Sequence, residues 1–439
     1  MSPRAAPRPG PPGPRGVPLL GVLPQLARDP LGTLARARDR YGDVVRLPVL
    51  SGAVYLLAHP DHVERVLVTR NANHWKGRLF GRADFLFGNG LVLNDGESWH
   101  AQRRVMQPGF HADLLRTAVD AMLEVIEDHA RRWRLARRDG TVLEFESEMT
   151  VLTLDLMATA MFGVRLGADE LATTGRAFGV VLEHVGLRFA TFTLPPATPL
   201  PGRARALRAL AALEEIVARL VDRHDPARTD VLGMLQQAVD TGAMSPRQLR
   251  DEVMTLLFGG YEATAHTLAW TWHLLDRHPQ VGDRVRAEVA AACPGDVAAL
   301  PYTRQVLDEV LRLYPPFWEV LRSSRETDEF DGHVVPGGAA ILLVPWLTHR
   351  LPEFWPDPST FDPDRWAAGP PAHRHAYFPF GGGQRLCIGR PLALLEMQLV
   401  VSQLSREFRP RRADRRPVRE RARSTLRARH GIRMVLDGT

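Results

Sequence analysis

The chain has 439 residues, 45% of them hydrophobic, with a formal net charge of +6 and two cysteines. That is enough apolar material for a sizeable core, which excludes a wholly disordered chain, and too few cysteines for a disulfide framework. Lys76 is the only lysine and the arginines are interspersed with acids, so the charge reads as a preference for arginine and not as a nucleic-acid surface.

Residues 1–18 form a Pro/Gly-rich arm with polyproline character. The apolar run 17–26 is interrupted by Pro18 and Pro24. It is too short to span a bilayer or act as a signal segment, so no membrane span and a cytoplasmic location are expected. Asp29-Pro30 starts a helix that ends near Gly42. Residues 44–48 and 53–57 read as strands around a Ser51-Gly52 turn, and Pro60 opens a helix to Val68. Residues 71–96 are loop-like. Helical periodicity covers 97–190, breaks at Pro195, Pro196, Pro199 and Pro201, and resumes over 203–222. Asp230 caps another helix.

Ser245-Pro246 starts the longest helix, with serine as cap and proline at the first helical position; it runs to about Arg277, where His278-Pro279 stops it. One further helix ends at Leu313, short strands follow to Val344, and a last helix covers 388–406. Residues 409–439 read as polar strands, with 424–426 and 432–436 as candidates. The chain is mainly α with small β-sheets and has no internal repeat.

The strongest chemical signal is Phe380-Gly381-Gly382-Gly383-Gln384-Arg385-Leu386-Cys387-Ile388-Gly389. A cysteine just before an amphipathic helix meets unsatisfied N–H groups and the positive end of the helix dipole, and both stabilise a thiolate. The glycines permit positive φ and close approach to a flat cofactor. A solitary cysteine is ordinarily a packed small hydrophobe; the surrounding string sets this one apart. It resembles the cysteine-loop signature of the cytochrome P450 family, with Phe380, Gly381, Arg385, Cys387 and Gly389 at that family's spacings.

The resemblance implies a haem b whose iron takes Cys387 as axial thiolate, a ligand that favours O–O cleavage. Further segments lie in the family's order. Glu309-Val310-Leu311-Arg312 matches its E-x-x-R element, on one helix face. Arg365, in Phe361-Asp362-Pro363-Asp364-Arg365-Trp366, is expected to join them in a Glu309–Arg312–Arg365 network. Trp99-His100-Ala101-Gln102-Arg103 matches the W-x-x-x-R that reaches the haem propionates, and Arg322 and Arg385 stand where further propionate ligands are found. The implied fold is the triangular prism of that family, with haem between the long helix and the cysteine-loop helix. Residues 19–439 are expected to form a single domain after the 1–18 arm.

In the long helix, Phe258-Gly259-Gly260-Tyr261-Glu262-Ala263-Thr264 resembles the oxygen-binding groove. Gly259 and Gly260 allow a local distortion, Glu262 fills the acid position, and Ala263 replaces the usual threonine. Thr264 cannot simply substitute, because adjacent helix residues point about 100° apart. Water or a substrate hydroxyl then supplies the missing hydrogen bond for ordinary hydroxylation or epoxidation. The alternative is oxidative C–N, C–O or C–C ring closure without oxygen insertion. Phe85, Phe87, Leu91, Phe258, Phe317, Trp318, Glu319 and Val320, drawn from the loop 80–93, the long helix and the stretch 317–321, are candidate pocket residues.

The chain is too short for a fused reductase after Leu436. The resemblance therefore implies electrons from NAD(P)H through ferredoxin reductase and ferredoxin, which Arg104, Arg116, Arg374 and Arg390 are placed to meet. A monomer acting on a small natural-product molecule is expected. A non-catalytic haem-binding protein is the competing class.

Overall fold

A computed structural model describes residues 10–50, 52–77, 81, 83–191 and 198–438. Ser51, Phe80, Pro195, Pro196 and residues 1–9 of the arm lie outside them. The chain packs as two compact units. One comprises residues 1–79, 317–360 and 368–387; the other comprises 80–316, 361–367 and 388–439.

The first unit is built on a five-stranded sheet in the order Val44–Val49, Gly52–Leu57, Ala340–Leu343, Val320–Ser324, His74–Trp75. The first two strands form the expected hairpin, with Val44 opposite Leu57. The pairing of Gly52–Leu57 with Ala340–Leu343 is parallel and the others are antiparallel. Tyr55, Leu57, Ile341 and Leu343 bury one face of the sheet with Val63, Val66 and Phe378. Asp29 caps the helix Pro30–Tyr41 by accepting the Gly32 amide at 3.0 Å. The described part of the arm is docked: Pro12 O accepts the Arg46 amide at 2.8 Å, and a Cβ on Gly13 would lie 1.9 Å from Arg46 O.

The second unit is helical. The long helix Pro246–Arg277 starts where the sequence places it, with Ser245 Oγ accepting the Gln248 amide at 3.2 Å. It packs along Phe145–Phe162, a helix buried on nearly every side.

Three local expectations need correction. The long helix runs unbroken through Gly259 and Gly260. Gly260 serves close packing instead, since a Cβ there would lie 2.3 Å from Met157 Cγ. Residues 279–313 form two helices, Pro279–Ala291 and Pro301–Leu313, because Gly295 takes φ +84° and Pro301 begins a new first turn. The last helix, Arg390–Ser405, is buried on most sides and is not amphipathic. Two small sheets complete the unit: Leu143–Glu144 with Arg433–Gly438 and Phe408–Arg412, and the hairpin Glu420–Ala422 with Leu426–Ala428.

Candidate active site

The cysteine loop is shaped by its own backbone. Cys387 N–H donates to Phe380 O at 3.0 Å, and Leu386 N–H to Gly383 O at 3.1 Å. Gly381 and Gly383 have φ of +72° and +62°, the region that favours glycine. A Cβ on Gly383 would lie 1.9 Å from Leu67 O, so the turn admits no side chain there. His349, fully buried, accepts the Phe378 amide on Nε2 at 2.9 Å and so steadies the segment leading into the loop. Cys387 is in no disulfide and its residue is exposed. The helix that follows begins at Arg390 with Gly389 as its cap, three residues beyond the thiol. Arg322 and Arg385 belong to this same unit and both are partly buried.

On the second unit, the long helix is buried at every position from Asp251 to Leu274 except Gly259, Gly260 and Ala263. Gly259 and Ala263 stand one turn apart on one face, and a Cβ on Gly259 would meet nothing within 4 Å. Glu262 points elsewhere. Its Oε1 accepts Thr425 Oγ1 at 2.9 Å, Arg427 Nη2 at 3.1 Å and Ser424 Oγ at 3.4 Å, while Oε2 has no hydrogen-bond partner among the described residues. Burial pushes its carboxyl upward, against the pull of Arg427 and of the Thr425 hydroxyl. Thr264 is buried and donates to Gly260 O at 3.3 Å. Its hydroxyl therefore serves its own helix.

Glu309 and Arg312 are completely buried and paired through two bonds of 2.8 Å. Arg365 Nε donates to the same carboxylate at 3.0 Å, as do the Asp362 amide and Trp366 Nε1. The last two partners were not anticipated. Trp99 is buried with the Arg103 guanidinium 5.4 Å from its ring centre, and Arg103 Nε also donates to Gln107.

Among the pocket candidates of this unit, the Phe87 and Phe258 rings lie 5.0 Å apart, and Phe178 extends the cluster at 5.9 Å from Phe258. Phe85 packs on His184 and under Arg188. In the first unit Trp318 is buried, Phe317 is exposed, and burial pushes Glu319 up to about 7.

These residues suit a haem. The Cys387 residue is exposed where a packed cysteine would be buried, and Gly381 and Gly383 give its loop a backbone path that favours glycine. Such features define an oxidoreductase of the haem-thiolate class. Residues 11–431 match the family Cytochrome P450, and the chain belongs to it.

Cyclooctatin synthase of Streptomyces melanosporofaciens is 34% identical over 431 residues, covering 94% of this chain and 93% of that protein. Pentalenene oxygenase of Streptomyces avermitilis is 31% identical over 412 residues, covering 90% of each. The solved cytochrome P450DA heme domain matches with a TM-score of 0.87 at 25% identity over 98% of each chain.

The fold is accordingly the mainly α P450 fold, the chain is a P450 oxidoreductase, and the group implied is a haem iron with a cysteine thiolate and O₂. The competing class of a non-catalytic haem binder is set aside, because similar proteins are named as oxygenases. Those names support oxygenation and give no support to the ring-closure alternative. Among the described residues, no helix is long and apolar enough to cross a membrane.

Proposed function

We propose that this P450 inserts one oxygen atom into a largely hydrocarbon natural product of the terpenoid class, by hydroxylation or epoxidation. The observation that carries the reading is the apolar ring cluster Phe178–Phe258–Phe87, which three helices bring together and which Phe258 joins to the Gly259–Ala263 face of the long helix. A polycyclic hydrocarbon needs that kind of wall, with few polar groups to fix its orientation. The relatives named for cyclooctatin, cyclooctat-9-en-7-ol and pentalenene support the same class.

The haem supplies the oxygen-activating chemistry; the chain supplies the rest. Cys387 holds the iron. Trp99, Arg103, Arg322 and Arg385 are the donors for the propionates, with Phe380, Gly381 and Gly389 shaping the loop. Glu262 fills the acid position of the groove segment, its carboxyl raised by burial and engaged by Thr425 and Arg427. With a methyl at Ala263, ordered water or a substrate hydroxyl takes the place of the absent threonine. Glu309, Arg312 and Arg365 hold the core beside it. The unbroken family match supports treating 19–439 as one functional domain, working as a cytoplasmic monomer.

Electrons come from NAD(P)H through a ferredoxin reductase and ferredoxin. Arg104, Arg116, Arg374 and Arg390 are all exposed, as docking to an acidic partner requires. Titration with a panel of terpene hydrocarbons and their mono-alcohols should produce a spin shift, and turnover should yield a product heavier by one oxygen atom. A product lighter by two hydrogens, or turnover insensitive to salt, would count against the substrate step and the docking step respectively.

A further inference from the structure

The segment from Leu86 to Leu91 carries two of the candidate pocket residues, Phe87 and Leu91, and three consecutive residues of the long helix hold it. Arg250 Nη1 donates to Leu86 O at 3.2 Å and to Asp251 Oδ1 at 2.8 Å. Asp251 Oδ2 accepts the Asn89 amide at 2.9 Å, and Glu252 Oε2 accepts the Leu91 amide at 2.9 Å. From the other side, Gln102 Nε2 donates to Asn89 O at 2.7 Å.

The fit is close. A Cβ on Gly88 would lie 2.0 Å from Asp251 Oδ2, and one on Gly90 would lie 2.1 Å from Thr255 Oγ1 and 2.7 Å from Asp251 O. Both anchoring carboxylates are buried, Glu252 completely. Outside, the segment borders an open cleft of about 580 Å³ lined in part by Asp84, Phe85 and Gln248, so packing there does little to hold it. Two buried carboxyls desolvated to receive two loop amides are costly unless those bonds are made.

We propose that Asp251 and Glu252 are positioning residues that set ligand selectivity, by fixing the backbone of residues 86–91 and with it the Phe87 and Leu91 side chains. The proposal rests on the reading that these side chains wall the substrate pocket. The selectivity it predicts is one of shape. A ligand too small to reach the wall is indifferent to the anchors, and a bulky one is not.

The test uses haem-loaded protein, with imidazole and 4-phenylimidazole as probes. Hydrogen exchange at the Leu91 amide should rise tenfold or more in Glu252→Leu, with exchange across Pro301–Leu313 unchanged. The same variant should change the 4-phenylimidazole affinity at least fivefold while leaving imidazole within twofold. Glu252→Gln, which keeps an acceptor oxygen, should restore both. Gly90→Ala pushes the loop off its seat without touching either carboxylate, and should reproduce the affinity change even if Glu252→Leu does not fold.

The proposal is overturned if Gly90→Ala keeps the native ratio of the two affinities, or if Glu252→Leu exchanges at Leu91 as the native protein does. Failure of the haem-thiolate reading looks different, because neither azole would then shift the Soret band of the native protein.

Discussion

Ala263 concentrates the chemical question in one methyl group. All three threonines just beyond the groove turn their hydroxyls onto the preceding turn: Thr264 to Gly260 O, Thr267 to Ala263 O and Thr271 to Thr267 O. All three hydroxyl protons are committed within the helix. Ala263→Thr places a hydroxyl beside Gly259, where there is space, and should raise the share of consumed electrons recovered in product about twofold or more, since a hydroxyl both donates and accepts where a methyl does neither. Product yield per NAD(P)H is the measurement, and an unchanged yield would count against the reading in which water or substrate stands in for the threonine during ordinary hydroxylation. At Cys387 the expectation is simpler. Cys387→Ala should abolish the red-shifted Soret band of the reduced carbon monoxide complex, and retention of that band would remove the thiolate from the account. Glu319 adds a pH test. With its carboxyl near 7, an amine-bearing ligand should bind more tightly as pH rises from 6 to 8, and Glu319→Gln should flatten that rise.

At the scale of elements, the parts legible in the sequence are those set by local chemistry. Ser245 and Pro246 fix the start of the long helix because a cap hydroxyl and a preset φ act within one turn. The Val44–Leu57 hairpin follows from two runs rich in strand-forming residues on either side of a turn. Glu309 and Arg312 are legible as a pair because they share a helix face. Partners brought from far along the chain are not. Trp366 and the Asp362 amide on Glu309, Arg427 and Thr425 on Glu262, and His349 under the cysteine loop are set by tertiary packing, and no spacing announces them. The last helix misleads for a related reason. Its polar residues Glu396, Gln398, Ser402 and Ser405 suggest a wet face, yet all are buried. The Glu309 cluster carries its own prediction. A carboxylate taking five hydrogen bonds at zero exposure leaves two arginines and an indole without an acceptor charge if it is lost. Glu309→Gln should cost about 3–5 kcal/mol, read as a lower unfolding midpoint with loss of bound haem. Arg365→Met should cost less, because Arg312 still meets the carboxylate.

Over the whole molecule, buried ionisable groups set opposing demands on pH. Burial pushes Glu146 and Glu252 from an ordinary value of 4.5 to about 7, and holds Glu396, which has no hydrogen-bond partner on either oxygen among the described residues, well above its ordinary range. A carboxyl raised by folding keeps its proton in the native state after the unfolded chain has released it. Stability from such a group is complete below about pH 4.5 and declines as pH rises through the folded value, at up to ~1.4 kcal/mol per pH unit. His266 and His273 act in the other direction. Burial lowers them from 6.5 to about 3 and about 4, so their contribution is complete above pH 6.5 and declines as acid protonates the unfolded chain first. Denaturant unfolding at pH 5 and pH 8 separates the two sets. Glu396→Gln, neutral at every pH, should match native stability at pH 5 to within about 1 kcal/mol and exceed it at pH 8. His266→Phe should show the reverse pattern, gaining on the native protein only below pH 6.5. A Glu396→Gln difference independent of pH would mean that this carboxyl is ionised in the fold, held by a charge or solvent partner that its surroundings do not display.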